Sequence, residues 1–226
     1  HDINIEISPG RVVGVLGRSG SGKSTMAKLL TRLYDPTAGR VLIGGVDTRD
    51  ASLRDLRNRV GMVTQDVQLF RTTVRNNLTF FDPRIDDERL LSVMRDLGLS
   101  EWLASLPDGL DTMLESGAGG LSAGQAQLLA FTRIFLKNPG LVILDEASSR
   151  LDPATEAMID NAVAAVVEDR TAFVIAHHLG TVARADDIMI IDNGSLVEFG
   201  PRQELQADPT SRFAKLLESG MEEVLA

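Results

Sequence analysis

Cysteine is absent from the 226-residue chain, which excludes disulfides and thiolate metal sites. Histidine is scarce, with three in all and two of them adjacent, so a zinc centre is not expected. Aromatic residues make up only 4%, with a single Trp and a single Tyr. Positive charge is in deficit: 23 Lys and Arg face 32 Asp and Glu, for a net charge of −9. Proteins that grip nucleic acid by its phosphates are usually basic overall or carry a basic stripe. No such stripe is present, and no nucleic-acid partner is expected. No apolar run approaches the ~20 residues that a membrane-spanning helix needs, and there is no secretory signal. The 43% hydrophobic content suits one large α/β domain, or a core with a subdomain. The first residue is His1 rather than Met, inside an alternating stretch, so the chain is expected to be a piece of something longer.

What the chain does have is Gly17-Arg18-Ser19-Gly20-Ser21-Gly22-Lys23-Ser24-Thr25. The pattern is G-x-x-x-x-G-K-S, that of a phosphate-binding loop. The apolar run at 12–16 before it reads as a buried strand, and residues 26–30 after it as the first turns of a helix. Glycines let successive backbone N–H groups turn inward around a polyanion, and the helix N-terminus adds partial positive charge. Lys23 is placed to bridge the outer two phosphates as a point charge, and the Ser24 hydroxyl to bind Mg²⁺. The competing reading, a glycine-rich turn with no ligand, needs the flanking strand and helix to be coincidence.

The rest of the chain sorts into two textures. Ile3, Ile5 and Ile7 alternate with polar residues, the pattern of a half-buried strand, and Ser8-Pro9-Gly10 turns into the next one. Residues 41–43 and 60–63 read as strands and 52–58 as a helix. From about 70 to 138 strand signal nearly vanishes. Residues 85–97 carry a helical apolar stripe, 100–106 a short helix, and 125–137 a helix apolar over most of its circumference. Strand signal returns at 141–144 and 172–176, with a helix between them at 153–167. Residues 188–191 and 196–199 flank Asn193-Gly194, a hairpin signal. The tail from about 202 to 226 reads as helical. Tyr34 is expected to pack behind the phosphate-loop helix rather than to bind a base.

Leu141-Val142-Ile143-Leu144 runs into Asp145-Glu146. Strand C-termini line the ligand crevice of a parallel sheet, so Asp145 is placed to hold Mg²⁺ through a water and Glu146 to polarise an attacking water. Acids dressing a helix N-terminus are the alternative. Upstream, Leu121-Ser122-Ala123-Gly124-Gln125 resembles the Leu-Ser-Gly-Gly-Gln signature of the ATP-binding cassette family, departing from it at Ala123. The resemblance runs over the whole chain. Gln65 ends a core strand as that family's Q-loop does, residues 147–152 sit where its D-loop sits, and His177 falls where its switch histidine falls. Residues 33–39, 64–70 and 73–78 look like the exporter branch, in which the cassette follows six transmembrane helices.

The resemblance implies an α/β fold: a P-loop NTPase (RecA-like) core with a mainly parallel sheet, an inserted α-helical subdomain and a partial antiparallel β subdomain. One domain would span 1–226, with 1–68 and 139–226 as the core and 69–138 as the helical signature part. It implies ATP and Mg²⁺ as ligands, with Gln65 joining Ser24 and Asp145 at the metal. Glu146, His177, Gln65 and Lys23 would carry hydrolysis. Residues 17–25, Gln65, Asp145 and His177 would hold the nucleotide. Two cassettes, alike or different, would pair head to tail, with Ser122, Ala123, Gly124 and Gln125 of one closing over the γ-phosphate held by the other. Ser122 could equally be a helix N-cap, and the two roles are compatible. His177 at a strand end could be structural, and His178 stands where exporters commonly have Arg. Glu115 either contacts intracellular loops of a membrane domain or is a solvated acid. The implied setting is the cytoplasmic face of a membrane, with the transmembrane domain upstream in the same polypeptide and this piece itself soluble. The rival readings are an importer's separate ATPase subunit, a soluble cassette ATPase outside transport, and a module that holds ATP without splitting it. Such soluble ATPases carry long coiled-coil insertions, and no heptad stretch occurs here.

The family stacks adenine on an aromatic residue some twenty positions before the phosphate loop, upstream of His1. Base–aromatic stacking is worth ~1–3 kcal/mol, so ATP should bind this chain roughly 5- to 150-fold more weakly than a longer form carrying that residue. Titrating ATP against the two lengths checks this, and equal affinities would refute it.

Overall fold

A computed structural model of the chain describes residues 2–64, 66–115, 121–145, 153–176 and 182–219. Gln65, Glu146, His177, His178 and the stretch 147–152 lie outside the described residues. The chain divides into two compact units. One comprises His1–Met62, Pro139–Ala147 and Val167–Ala226, the other Val63–Asn138 and Ser148–Val166.

The first unit is built on a six-stranded sheet ordered β4-β5-β6-β1-β7-β8. Its strands are β1 (Val12–Leu16), β4 (Val60–Val63), β5 (Leu141–Asp145), β6 (Thr171–Ile175), β7 (Asp187–Asp192) and β8 (Ser195–Pro201). β1 pairs in parallel with β6 and β7, and β5 in parallel with β6. β8 returns antiparallel along β7. A separate two-stranded antiparallel sheet joins β2 (Leu42–Ile43) to β3 (Val46–Asp47). The mainly parallel α/β architecture is the one expected from the sequence.

Both faces of the large sheet are covered, which is why its strands are apolar without strict alternation. On one face Val13, Val15, Ile143, Phe173, Ile175, Met189 and Ile191 pack with Ala27 of α1 (Lys23–Leu30) and Leu56 of α2 (Leu53–Arg59). On the other, Leu16, Ile188 and Ile190 pack with Phe213 and Leu216. Among the described residues the tail holds two helices, α8 (Arg202–Ala207) and α9 (Arg212–Glu218). Pro209 cannot continue a helix. α9 starts afresh with Ser211 as its cap and with the Glu198 carboxylate accepting from the Arg212 and Phe213 N–H groups.

Two expectations fail here. Residues 2–8 alternate exposed and half-buried as the pattern demands, and Ile5 and Ile7 pack on the core, yet the segment belongs to neither sheet. Period-two burial reports one apolar side, and it carries no information about a ladder partner. Tyr34 does not pack: it is 61% exposed, with the Lys28 ammonium 6.0 Å from its ring centre.

The second unit holds α3 (Val74–Thr79), α4 (Asp87–Asp96), α5 (Ser100–Ser105), a 3₁₀ turn (Gly109–Asp111), α6 (Ala123–Lys137) and α7 (Pro153–Val167). α3, too short to show an apolar period in the sequence, is capped by the Thr73 hydroxyl. α6 is the axis of this unit, buried from Ala126 through Thr132. Fully buried Asn77 pins the chain preceding α3: its Oδ1 accepts from Phe70 N at 2.9 Å and its Nδ2 donates to Phe70 O at 2.9 Å. Arg133 on α6 donates to the Asn77 carbonyl at 2.8 Å and to the Gln68 carbonyl at 3.1 Å, and its guanidinium lies 4.7 Å above the Phe80 ring. Burial lowers the Arg133 pKa to about 10, so it stays charged at neutral pH.

Asn77→Ala removes the acceptor of the half-buried Phe70 amide and one of two donors to the Phe70 carbonyl, which keeps the Thr72 N–H at 2.8 Å. It should cost roughly 1–3 kcal/mol, read as a lower urea midpoint, and an unchanged midpoint would contradict this account.

Candidate functional site

The phosphate-loop motif hangs from the C-terminal edge of the sheet. In the strand register Asp145 pairs with Ile175, which pairs with Val15. Asp145 and the start of the loop at Gly17 are thus brought to one edge of three adjacent parallel strands. That edge is where an open α/β sheet presents ligands. β6 ends two residues before His177 in the sequence, and β5 one residue before Glu146.

The loop is shaped by contacts that only glycine permits. Gly17 has φ +154°, and a Cβ there would lie 2.2 Å from the Ile191 carbonyl oxygen and 2.6 Å from Ser21 Oγ. Gly20 and Gly22 adopt φ +78° and +110°. Ser21 N donates to Arg18 O at 3.0 Å, closing the turn, and Gly194 N donates to Ser21 O at 2.9 Å. The β7–β8 turn, with Asn193 and Gly194 both left-handed, therefore braces the loop from behind.

α1 opens on this loop with no side-chain cap and no acid in its first turn. Five other described helices, α2, α3, α4, α6 and α9, each receive a hydroxyl or carboxylate cap. The first N–H groups of a helix have no intrahelical acceptor, so the amides at the start of α1 remain for an external anion. Lys23 is buried here, its ammonium donating to the Gly17 carbonyl and, at 2.9 Å, to the Arg18 carbonyl. Burial lowers its pKa, and the negative charge of Asp145 partly opposes that. Among the described residues the buried Ser21 Oγ has no hydrogen-bond partner. Ser24 and Thr25 are exposed. A cation, open amides and an orphan hydroxyl around a cradle that a Cβ would fill fit a nucleoside polyphosphate. The Ser24 hydroxyl and Asp145 carboxylate are hard oxygen donors of the kind Mg²⁺ takes.

Ser122–Gln125 belong to the second unit and begin α6. Ser122 and Ala123 are exposed, Gly124 is buried and Gln125 half-buried. Ser122 Oγ accepts from Gln125 N at 3.1 Å, while Gln125 Oε1 accepts from Ser122 N at 2.9 Å. The N-cap anticipated for Ser122 is present, and reciprocal. Glu115 pairs with Arg71 at 3.6 Å with both side chains exposed.

Residues 1–149 match the family model described as ABC transporter. The chain belongs to the ABC transporter family. It is 42% identical over 216 residues to a Bacillus subtilis (strain 168) protein provisionally named multidrug export ATP-binding/permease protein YgaD, covering 96% of this chain and 37% of that one. Over 206 residues it is 42% identical to the similarly named SAB1799c of Staphylococcus aureus (strain bovine RF122 / ET3-1), covering 91% of this chain and 36% of the other. Over 205 residues it is also 42% identical to the uncharacterized ABC transporter ATP-binding protein YwjA of Bacillus subtilis (strain 168), again 91% and 36%. The chain thus spans little more than a third of these relatives. Among the described residues no helix is long and apolar enough to cross a membrane.

As the ATPase domain of an ABC protein, the chain carries two supports that the sequence reading missed. The Ile191 carbonyl and the Gly194 amide hold the phosphate loop, and no local pattern announces a contact across so many residues. The Gln125 half of the cap was legible, because Ser-x-x-Gln before an apolar run is a capping-box signature.

Gly17→Ala places a methyl group inside the Ile191 carbonyl, whereas a methyl group at position 20 meets nothing within 4 Å. Gly17→Ala should therefore lose nucleotide binding and destabilise the fold by roughly 2 kcal/mol or more. Gly20→Ala should cost only the left-handed strain, about 1–2 kcal/mol. Urea midpoints and ATP titrations of both variants test this, and equal behaviour would refute the bracing by β7.

Proposed function

We propose that this chain is the ATP-binding and hydrolysing domain of an ABC exporter, working as a head-to-tail pair of cassettes around two Mg-ATP. The observation that carries it is the uncapped, acid-free start of α1, with Lys23 buried beside it, at the sheet edge that also holds Asp145. Export is supported by the names of YgaD and SAB1799c, both of which join an ATP-binding part to a permease. Those names also support a permease in the same polypeptide; its position before this domain, and action at the cytoplasmic face, follow from the resemblance to the exporter branch. The fused permease in those names disfavours an importer's separate subunit.

In this reading the amides of residues 20–25 hold the β- and γ-phosphates. Lys23 exchanges its bonds to the Gly17 and Arg18 carbonyls for phosphate oxygens. Ser24, Asp145 and Gln65 would hold Mg²⁺, which neutralises charge developing on the bridging oxygens. Glu146 accepts a proton from the attacking water, and His177 orients that water and Glu146 at the γ-phosphate. Ser122, Ala123 and Gly124 of the second cassette close over the same phosphate. Ser122 can cap α6 and donate at once, because a hydroxyl accepts with its lone pairs while its proton stays available.

Glu146→Gln should slow turnover by about 10²- to 10⁴-fold while leaving ATP affinity intact, measured by phosphate release and by nucleotide titration. Wild-type turnover in that variant would overturn the role given to Glu146. The pairing is checked separately: specific ATPase activity should rise with protein concentration through the dimerisation range, and a flat response counts against it.

A further inference from the structure

α6 does not need a strong cap to be stable. It is fifteen residues long and nine of them are buried, so packing holds it. It nevertheless has a full reciprocal capping box, whereas α2, α3 and α4 have one-way side-chain caps and α9 combines Ser211 with the Glu198 carboxylate. The reciprocal half comes from Gln125, whose Oε1 accepts from the Ser122 amide at 2.9 Å. Ser122 and Ala123 are exposed, so core packing does not set their orientation.

The donor count at this helix start is specific. Ser122 N–H is taken by Gln125 Oε1, and Gln125 N–H by Ser122 Oγ. The first intrahelical bond is Ala126 N to Ser122 O, at 3.0 Å. By helix geometry the Ala123 and Gly124 amides have no intrahelical acceptor. Because Ser122 Oγ is held as an acceptor, its proton is the one hydrogen left to donate. Two amides without an intrahelical acceptor and one hydroxyl therefore stand together at a positive helix end, with Ser122 and Ala123 exposed and Gly124 buried, a set suited to a terminal phosphoryl group. Gln125, half-buried with its carbonyl oxygen spent on Ser122, is the residue that fixes this arrangement.

We infer that Gln125 is a positioning residue: it acts through Ser122, locking the rotamer and proton direction of that hydroxyl, and does not itself bind the nucleotide. This rests on the reading of Ser122 as a donor to the phosphate held by a second cassette. The pairing supplies a test that separates the two ideas. Ser122→Ala, Gln125→Ala and the double variant are made in the full-length protein. For each, kcat and KM for ATP are measured well below the unfolding midpoint, alongside thermal unfolding. Ser122→Ala should lower kcat by roughly 10²-fold. Gln125→Ala should lower kcat by about tenfold with KM within about twofold, and the double variant should match Ser122→Ala alone.

If the Gln125→Ala loss multiplies onto that of Ser122→Ala, Gln125 touches the nucleotide directly and the inference is wrong. A lower unfolding midpoint with wild-type kcat in Gln125→Ala makes the cap purely structural and also overturns it. Wild-type kcat in Ser122→Ala instead overturns the donor role of Ser122, and Gln125 then has nothing to position. Trp102, the single tryptophan, lines a cavity of about 380 Å³ together with Ser122 and Gln125, so its fluorescence shows whether either substitution rearranges the helix start. An emission change in Gln125→Ala with unchanged kcat again counts against the inference.

Discussion

A helix start left without a cap is the constraint on which the first unit depends. The amides at the beginning of α1 have neither a side-chain acceptor nor an acid nearby, and a buried ammonium adds to their positive field. Such an arrangement opposes folding unless something else holds it. Here the holding is done by the sheet. Gly17 presses against the Ile191 carbonyl, Gly194 donates to Ser21, and Asp145 stands at the end of a nearby parallel strand. Lys23 satisfies itself on the Gly17 and Arg18 carbonyls, bonds that an incoming anion can replace. The loop is thus pre-shaped by backbone packing, and little of its geometry rests on flexible side chains.

The second unit solves the opposite problem. Its central helix starts with a reciprocal side-chain cap, yet presents Ser122 and Ala123 to solvent. Around α6, polar groups are buried and matched: Asn77 closes the chain before α3, and Arg133 bonds to carbonyls and lies on Phe80. Burying this guanidinium, which meets no carboxylate among the described residues, is tolerable because three carbonyl and amide oxygens and an aromatic face share its charge. In both units most of the buried polar chemistry goes into holding backbone and helix starts still. Read this way, the two helix starts are complementary: α1 offers amides fixed by glycine geometry, and α6 offers amides and a hydroxyl fixed by a side-chain cap.

The amino-acid sequence by itself determined the phosphate loop, because the spacing of Gly17, Gly22, Lys23 and Ser24 encodes backbone freedom and charge that need no distant partner. It also determined β5 with Asp145 at its end, the helices of the second unit with long apolar stripes, and the Asn193-Gly194 turn, whose left-handed pair is a local preference. Tertiary structure decided the rest. Residues 2–8 alternate like a strand but join no sheet, since alternation records which side is buried and a ladder needs an available edge. Tyr34 stays largely in solvent, with the Lys28 ammonium 6.0 Å from its ring centre, since one aromatic after a helix does not say what will lie against it. α3 forms within a short stretch that carries no period, held by the Thr73 cap and by Asn77. The Ile191 carbonyl bounds the phosphate loop from a strand far along the chain, a contact that exists only once β1 and β7 lie side by side. Local chemistry is written in neighbouring residues, whereas close approach of backbones is a property of the assembled sheet.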